Sequence, residues 1–440
     1  MKVPMQTKDI ADNNVPYWWE QVPMIPLPRQ AVSQVVDVLI VGAGYAGLTA
    51  AMVLARAGRS VAVYDAMNLG QGASTRNGGI TSGNIRPTFA AIAKRFGEHK
   101  ATAIEAESKI AREFLQDLVQ TEQLECDYQP TGLFSGAIGF GQYEAMARRA
   151  ENLAKKLGVE SYAVPYAEQH QYIGTDFYRG GTVRMDIGGL HPAKFHSELL
   201  RLAMNAGVAV HDSTPVTSIE KTNTGFRVTT PQGVVQALKV LVCTNGYTGR
   251  ATPFLRRRLI PVTSRMIATE ELSAEVMGRL MPKGMMTGEG LQLGYYYRPS
   301  PDGKRILLGG RDSSRKGDSV KAVKDLRKGL IERFPELETV RLTHTWFGNV
   351  AMNRDMLPRI FEHDSVLYAT GFCGSGTVWA PWVGRLAADK LLGRKEGRGS
   401  AFDFGPPAPV PLYNGHPWFI PVVIAGYRLQ DRFAMWRAYR

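Results

Sequence analysis

Three glycines and an acid near the N-terminus have the residue types and spacing of a dinucleotide site. Gly42, Gly44 and Gly47 follow the strand-like run Val36–Val41, which is apolar except for Asp37, and Asp65 ends the next strand-like run. In this pattern the first two glycines let the backbone turn tightly beside a pyrophosphate, and the third lets a helix pack closely on a strand. The acid can accept hydrogen bonds from ribose hydroxyls. The pattern predicts that the chain binds FAD, NAD or NADP, and it leaves that choice open.

A second glycine turn near the C-terminus repeats the arrangement of a strand followed by a turn. The apolar run Val366–Thr370 leads into Gly371, Gly374 and Gly376, and a helical pattern follows at Val383–Leu392. A helix N-terminus carries a partial positive charge that can be directed at an electron-accepting ring. Nicotinamide dehydrogenases usually complete their nucleotide domain in one continuous segment. A chain that returns to the dinucleotide turn near its end is typical of flavoproteins.

Helices and strands must hold these two turns together. Helical periodicity is present at Ile92–Gln123, Gly141–Leu157 and Val320–Phe334, and a further helix is predicted from Pro192 to Gly207. Strands are predicted at Tyr128–Ile138, Val208–His211, Gly225–Thr230, Lys239–Thr244, Leu291–Arg298, Arg305–Gly310 and Thr343–Val350. The segment Leu69–Gly79 is too rich in glycine for regular structure, so a long loop is predicted there.

Composition and charge limit the classes of function. The chain has 440 residues, of which 44% are hydrophobic and 21% charged, so it is long enough for two or three folded domains. A formal net charge of +13 would suit nucleic acid or an anionic membrane as a partner. The basic residues are mostly scattered, however, and no recognised nucleic-acid module is present. Nucleic acid is therefore not the predicted partner.

Cysteines and apolar segments indicate a reducing compartment. Cys126, Cys243 and Cys373 are too few and too widely spaced for a disulfide framework or a zinc site, so no metal is predicted. The segment Met1–Pro28 lacks the apolar region of a secretory signal, and no apolar run reaches transmembrane length. The basic tail Trp418–Arg437 either lies on a membrane surface or packs on the protein itself. We predict a cytoplasmic protein, with membrane association through this tail as the open alternative.

Four further segments, in this order along the chain, carry a family resemblance. They are Gly72–Gly79, Gly188–Pro192, Trp346–Asn349 and Tyr368–Gly376. With them the chain resembles the FAD-dependent D-amino-acid oxidase superfamily, and within it the γ-glutamylputrescine oxidase-like amine oxidoreductases. The similarity extends from about Tyr17 to Phe433.

The resemblance implies an α/β fold with two domains. A discontinuous Rossmann-like domain, formed by residues 1–90, 188–252 and 355–440 with the N-terminal arm and the C-terminal tail, would bind FAD. A second, α+β domain, formed by residues 91–187 and 253–354 on a mixed or antiparallel sheet, would bind the substrate. The implied reaction oxidises a C–N bond of an amine or amino acid to an imine by hydride transfer to flavin N5, and water hydrolyses the imine. The electrons then pass to oxygen or to another acceptor.

The resemblance and this chemistry assign roles to individual residues. The amine must be neutral to release a hydride, and a dry aromatic wall disfavours the ammonium form. Candidates for that wall are Trp346, Phe347, Tyr296, Trp379 and Trp382, with ordinary core packing as the alternative for each. Arg76, Trp346, Ser375 and Tyr296 are the predicted catalytic residues, with a surface salt bridge as the alternative for Arg76. The predicted FAD-binding residues are Gly42, Gly44, Tyr45, Ala46, Gly47, Asp65, Ala66, Gly72, Ala73, Ser74, Arg76, Asn77, Gly78, Gly79, Val216, Thr244, Asn245, Gly246, Gly371, Gly374, Ser375, Gly376 and Thr377.

The chain departs from its relatives at positions that matter for the chemistry. Ser375 stands where relatives have a histidine beside the flavin, and serine can donate a hydrogen bond but cannot carry the charge. Val378 stands where sarcosine oxidase has a lysine for the substrate carboxylate, which favours a larger or less acidic amine. Leu307 stands at the place of an oxygen-activating lysine, which favours another electron acceptor. Gly348 stands at the place of a flavin-linking cysteine, so FAD is predicted to be noncovalent, with Cys373 as the remaining candidate for attachment.

Two alternative functions stay open at this point. One is a membrane-associated amine or amino-acid dehydrogenase that passes electrons to quinone. The other is a flavoprotein that acts on tRNA.

Overall fold

The computed structural model describes residues 14–23, 26–28, 31–32, 34–311, 319–394 and 399–438. Residues 1–13 of the first predicted FAD-binding segment lie outside the described residues. In the part of the chain that is described, no helix is both long enough and apolar enough to cross a membrane.

Strands and helices are numbered separately along the chain. The strands are β1 (Val35–Val41), β2 (Val61–Tyr64), β3 (Leu133–Gly136), β4 (Ser161–Val164), β5 (Gly181–Arg184), β6 (Ala209–His211), β7 (Ser218–Lys221), β8 (Phe226–Thr230), β9 (Gly233–Val242), β10 (Ile260–Thr269), β11 (Met286–Glu289), β12 (Tyr296–Pro299), β13 (Ile306–Arg311), β14 (Leu342–Met352), β15 (Arg359–His363) and β16 (Val366–Thr370). The helices are α1 (Tyr45–Arg56), α2 (Phe89–Phe96), α3 (Glu98–Thr121), α4 (Phe140–Leu157), α5 (Pro192–Asn205), α6 (Pro253–Arg256), α7 (Ala274–Leu280), α8 (Ser319–Arg333), α9 (Gly376–Leu392) and α10 (Ile420–Ala438).

The first sheet is mainly parallel and carries both glycine turns. Its strand order is β15-β16-β9-β1-β2-β6, with β8 paired to β9 and β7 paired to β8. From β16 to β6 all neighbours are parallel, whereas β15 pairs antiparallel to β16. Parallel strands with both faces covered are expected to be continuously apolar, as β2 and β16 are. The carboxyl ends of β1 and β16 therefore deliver the two glycine turns to the same edge of one sheet.

The second sheet is mixed. Its order is β14-β10-β13-β12-β11-β3-β5-β4, and all neighbours are antiparallel except β11 and β3. One face of its first strands packs with Tyr17, Trp18 and Trp346 in a small apolar cluster. That face lies against the loop that follows β2, since a Cβ added at Gly78 would lie 3.5 Å from Cε of Met266 in this cluster.

Helices α1 and α9 cross closely behind the glycine turns. A Cβ added at Gly384 of α9 would lie 2.3 Å from the carbonyl oxygen of Ala46 on α1. Glycine at this position therefore permits the two helix backbones to approach. Helix α9 begins at Gly376 and contains Pro381, so it starts earlier than the predicted helix at Val383–Leu392.

Local structure differs from the sequence predictions at several places. The helix predicted at Ile92–Gln123 is two helices, α2 and α3, because the chain turns at Gly97 with φ of 87°. The strand predicted at Tyr128–Ile138 is confined to β3. In the segment Leu291–Arg298 only the end belongs to a strand, β12.

The predicted division into two domains stays a prediction, and helices pack across its boundaries at two places. Helices α2 and α3 contribute Ile92, Ile104 and Leu115 to the core of the first sheet, although residues 91–187 are predicted in the substrate domain. Helix α10 contributes Met435 to the core of the second sheet, although residues 355–440 are predicted in the FAD-binding domain. In both cases the apolar face of the helix packs on the sheet that lies next to it in the folded protein.

Candidate active site

The first glycine turn is shaped so that only glycine fits. Gly42 has φ of +107°, a conformation that side chains disfavour. A Cβ at Gly47 would lie 1.9 Å from the carbonyl oxygen of Gly42, and a Cβ at Gly44 would lie 2.9 Å from Ser74 Oγ. The turn between β1 and α1 thus brings bare backbone to the N-terminus of α1, which suits a pyrophosphate.

Asp65 and His196 hold this turn from two sides. Asp65 accepts hydrogen bonds from the backbone nitrogens of Ala43, at 2.8 Å, and Met67, at 2.9 Å. Burial raises the pKa of Asp65, while these two donors lower it. Each carboxylate oxygen has a second lone pair, so the residue keeps capacity for ribose hydroxyls. Burial also lowers the pKa of His196, and the neutral ring donates from Nε2 to the Ala43 carbonyl at 2.8 Å. Sequence reasoning missed His196, since nothing in the pattern of α5 distinguishes it.

The loop at residues 72–79 folds over the start of α1. Ser74 Oγ accepts a hydrogen bond from Tyr45 N at 3.2 Å. Asn77 donates from Nδ2 to the carbonyls of Ala73 and Ser74, and its Oδ1 accepts from Gly79 N at 2.8 Å. A single amide side chain therefore closes the loop on itself.

The second glycine turn meets this loop. Gly371 and Gly374 have φ of +78° and +100°, and Gly374 is exposed with Ser375 half-buried. Thr377, in the first turn of α9, donates from Oγ1 to Asn77 Oδ1 at 3.3 Å. Segments 300 residues apart in sequence are joined directly by this hydrogen bond.

The remaining predicted cofactor residues lie along the same edge. Asn245 Oδ1 accepts from Gly371 N at 3.0 Å, which links the end of β9 to the second turn. A Cβ at Gly246 would lie 2.7 Å from the carbonyl oxygen of Asn349 on β14, so this segment also touches the second sheet. Thr244 Oγ1 is 2.9 Å from Thr248 Oγ1. Val216 packs at the margin of the core beneath the first sheet. Ala66 and Gly72 follow β2 on the approach to the loop at residues 72–79.

Tyr296 lies where the second sheet meets this edge. A Cβ at Gly78 would lie 2.9 Å from Tyr296 Cε2, and a Cβ at Gly309 would lie 2.3 Å from its Cζ. Its hydroxyl is 3.2 Å from Ser264 Oγ. Burial raises the pKa of Tyr296, so the phenol stays protonated at neutral pH. The ring therefore lies over the loop at residues 72–79. Its place in a substrate wall stays a prediction.

Arg76 and Trp346 brace the loop instead of lining an open wall. The fully buried Trp346 donates from Nε1 to the Arg76 carbonyl at 2.9 Å. Arg76 donates to the carbonyls of Gln71, at 2.9 Å, and Phe347, at 3.1 Å, and its guanidinium lies over the Trp19 ring. Among the described residues Arg76 forms no ion pair with a carboxylate, so the surface salt bridge is not observed. Burial lowers its pKa.

The other three aromatic candidates are not brought to this place. Trp379 is buried in the core of the first sheet and packs edge-on against Phe402. Trp382 donates from Nε1 to Glu107 of α3 at 2.9 Å. Phe347 is partly exposed on β14, with the Arg265 guanidinium over its ring. Trp379 and Trp382 both lie on sides of α9 that face the protein interior. From the sequence alone, these sides could not be distinguished from a side that lines the active site.

Two arginines that sequence reasoning missed stand beside the second turn. Arg86 donates from Nε to the Cys373 carbonyl at 3.1 Å. Arg311 ends β13 on the same strand face as Gly309, because alternate residues of a strand share a face. Nothing in the local pattern around either arginine indicates that they converge.

A mainly parallel sheet that presents two joined glycine turns, covered by a mixed sheet, defines a flavin-dependent oxidoreductase. The chain belongs to the family of FAD dependent oxidoreductases (DAO), whose model matches residues 37–390. The resemblance and the α/β fold predicted from the sequence are confirmed, and FAD is the cofactor.

Relatives and solved structures agree with this assignment. The chain is 30% identical over 407 residues to γ-glutamylputrescine oxidoreductase of Escherichia coli, covering 91% of this chain and 93% of the relative. It is 29% identical over 368 residues to the probable oxidoreductase OrdL of Haemophilus influenzae, covering 82% of this chain and 84% of the relative. The crystal structure of glycine oxidase from Geobacillus kaustophilus superposes with a TM-score of 0.71 at 18% identity, covering 84% of this chain and 98% of that chain.

Proposed function

We propose that this FAD-dependent oxidoreductase oxidises the C–N bond of an amine to an imine, which water hydrolyses. The substrate is a polyamine derivative, another secondary amine or an amino acid. The observation that carries the proposal is Tyr296, whose ring from the second sheet covers the glycine loop at Gly78. A substrate between the two sheets would meet both the loop and this aromatic side chain. Relatives named for γ-glutamylputrescine and for glycine support the same substrate chemistry.

The residues at the two turns suit the parts of FAD. Gly42 and Gly44 leave room for the pyrophosphate, and Asp65 has free lone pairs for the ribose. The exposed backbone of Gly374 and the N-terminus of the 17-residue helix α9 would face the electron-accepting ring. When bound, the flavin supplies the hydride acceptor. The chain itself supplies an apolar face, with Met266 and Tyr296, that disfavours an ammonium and so keeps the amine neutral.

Noncovalent attachment of FAD forms part of the proposal. Cys373 is buried and donates from Sγ to the Gly371 carbonyl at 3.0 Å. Burial raises its pKa to about 11, so the reactive thiolate is scarce at neutral pH. Leu307 is fully buried in the apolar cluster with Trp346, which supports an electron acceptor other than oxygen.

An anaerobic titration of the flavin tests the proposal. Purified protein is mixed with putrescine, γ-glutamylputrescine, glycine or sarcosine, and bleaching of the flavin absorbance is followed before and after air is admitted. We expect at least one amine to bleach the flavin, and slow recovery in air if oxygen is a poor acceptor. A protein without a flavin spectrum, or a flavin that a broad panel of amines and amino acids fails to bleach, contradicts the proposal.

A second candidate function is an amine dehydrogenase that docks on a membrane and passes electrons to quinone. The observation in its favour is the outer face of α10, where Val422, Leu429, Phe433 and Trp436 are exposed by 72%, 70%, 56% and 50%. Arg432 and Arg437 lie on the same helix and would suit anionic lipid. Flotation with vesicles of phosphatidylglycerol and phosphatidylcholine at low salt should carry the wild type but not a Leu429→Ser, Phe433→Ser double variant. Wild-type protein that stays at the bottom of the gradient excludes this candidate.

A further inference from the structure

The inner part of the N-terminal arm, residues 14–20, packs between the loop at residues 72–79 and the second sheet. Trp18 is completely buried there and belongs to the same apolar cluster as Trp346 of β14. The two rings meet edge-on at 6.4 Å. The matched family model begins only at residue 37, so the arm lies outside the matched segment. The role of the arm must therefore be inferred from its own contacts.

Two indole groups of this cluster bind successive carbonyl groups of the loop. Trp346 Nε1 donates to the Arg76 carbonyl at 2.9 Å. Trp18 Nε1 donates to the next carbonyl, that of Asn77, also at 2.9 Å. Because an indole has a single, directional N–H donor, the two bonds fix how both peptide planes are turned. One of the two donors belongs to the arm.

The turned peptide planes present two backbone donors on the side away from the indoles. In a trans peptide the N–H points opposite to the carbonyl of the same plane, which here concerns the nitrogens of Asn77 and Gly78. Within the described ranges of the chain neither nitrogen donates a hydrogen bond to a protein group, although Gly78 is buried. Buried backbone donors are nearly always paired in native proteins. These two are therefore available to a ligand that lies against the loop.

The arm is also attached to the second sheet along its edge strand β14. Asn14 Oδ1 accepts a hydrogen bond from Phe347 N at 2.9 Å. Arg76 Nη1 donates to the Asn14 carbonyl and to the Phe347 carbonyl, each at 3.1 Å. Glu20 forms an ion pair with His344 at 3.0 Å. Since these contacts reach both the loop and β14, the arm docks fully only when loop and sheet are placed as they are here.

We propose that the docked arm is part of the FAD site, with Trp18 as a positioning residue. Trp18 holds the peptide between Asn77 and Gly78 in the orientation that the flavin end of the cofactor requires. The flavin end is concerned because Asn77 also accepts a hydrogen bond from Thr377, beside the second glycine turn. Coupling between two binding events is reciprocal, so release of the arm is disfavoured in the FAD complex. The inference concerns the cofactor and holds for any substrate.

Binding of FAD and of ADP to the apoprotein separates positioning from general damage, because ADP is the adenosine and pyrophosphate part of FAD without the flavin. Trp18→Phe removes the indole donor and keeps an aromatic ring. Trp418→Phe is the matched control, since Trp418 Nε1 donates to the Leu412 carbonyl at an exposed position. By calorimetry we expect Trp18→Phe to bind FAD about fivefold or more weakly and ADP with wild-type affinity. Trp418→Phe should match the wild type with both ligands.

Limited proteolysis of the wild type tests the reciprocal effect without a variant. Tyr17 and Trp18 are buried, so chymotrypsin cleaves after them only when the arm leaves its place. Trp418 and Phe433 are exposed and give an internal control. FAD and ADP are each used at the same multiple of their dissociation constants, so that both stabilise the whole fold equally. We expect FAD to slow cleavage of the arm about fivefold more than ADP does, with equal cleavage at the control sites.

A second variant covers the case in which Trp18→Phe folds poorly. Trp19 is half-buried, and its Nε1 donates to Thr75 Oγ1 of the same loop at 2.9 Å. Trp19→Phe should likewise weaken binding of FAD and leave that of ADP unchanged.

The results that overturn the inference differ from those that overturn the proposed function. The inference fails if the folded variant binds FAD like the wild type, or loses affinity for FAD and ADP by the same factor. It also fails if FAD protects the arm no more than ADP does. The proposed function fails instead when amines do not bleach the flavin of the wild type, whatever the arm does.

Discussion

His191 illustrates how a single buried side chain sets a pH limit on stability. It precedes α5, and its Nδ1 accepts a hydrogen bond from Lys194 N at 3.2 Å, so it caps the helix. The ring is fully buried and packs edge-on against Trp18 at 5.0 Å. Burial lowers its pKa from 6.5 to about 4, so the folded protein holds it neutral where the unfolded chain would protonate it.

The sign of the resulting pH dependence follows from linkage. Because the folded pKa is below the unfolded one, the contribution of His191 is complete above pH 6.5 and is lost as the pH falls toward 4. We expect about 3 kcal/mol of the free energy of unfolding to disappear over this window. Burial raises the pKa of Asp65, which opposes this trend and makes the total change smaller. Urea unfolding at a series of pH values measures it.

His191→Asn isolates this residue from other acid-sensitive groups. Asparagine is a good helix cap and does not titrate, so the variant should show a shallower decline in stability between pH 6.5 and 4 than the wild type. Parallel declines in the two proteins would assign the acid sensitivity to other groups.

At the scale of elements, the crossing of α1 and α9 fixes the distance between the two glycine turns. Each helix begins immediately after one of the turns, and they approach at Ala46 and Gly384. A change in this crossing moves one turn relative to the other. Cofactor affinity should therefore depend on a residue that does not touch the cofactor.

Gly384→Ala tests this dependence. The new Cβ would lie 2.3 Å from the Ala46 carbonyl oxygen, so α9 must shift. We expect a loss of about 1–3 kcal/mol in the free energy of unfolding and weaker FAD binding, by about tenfold or more. Unfolding and FAD titration of the apoprotein measure both. Gly278→Ala, in α7 with open space around it, is the control and should be neutral or slightly stabilising. Equal FAD affinity in wild type and Gly384→Ala would contradict the coupling.

Elements that follow from local rules were predictable, and those that depend on tertiary contacts were not. The turn at Gly42–Gly47 needs bare backbone, so its glycines are visible in the sequence. The interruption at Gly97 was hidden because helical periodicity continues on both sides of it. Trp382 and Tyr296 are both aromatic residues in apolar segments, and only packing directs one to Glu107 and the other to the glycine loop.

At the scale of the whole molecule, the site is assembled from segments that no pattern joins. Arg86 and Arg311 are separated by more than half of the chain, and each lies in an ordinary local sequence. Their convergence depends on how the second sheet packs on the first. The tail Trp418–Arg437 packs in part on the protein itself, because Ile424 of α10 is buried. Contact of its exposed outer face with a membrane stays a prediction.

The assembled protein should release its cofactor on denaturation. Because Cys373 is buried and protonated, and glycine stands at position 348, no reactive thiol is predicted at the flavin. Acid precipitation should leave a colourless pellet and yellow supernatant. Adding FAD back to refolded apoprotein should raise the unfolding temperature, by an amount equivalent to about 2.7 kcal/mol at one hundred times the dissociation constant. A yellow pellet would instead indicate a covalent bond.

The hydrogen bond between Thr377 and Asn77 also bears on the order of events during synthesis. The first glycine turn leaves the ribosome early, but the turn that completes the cofactor site follows 300 residues later. Contacts of such long sequence separation form late, because the intervening chain must first be made and closed into a loop. The FAD site is therefore complete only after α9 has been synthesised, 300 residues after Asn77.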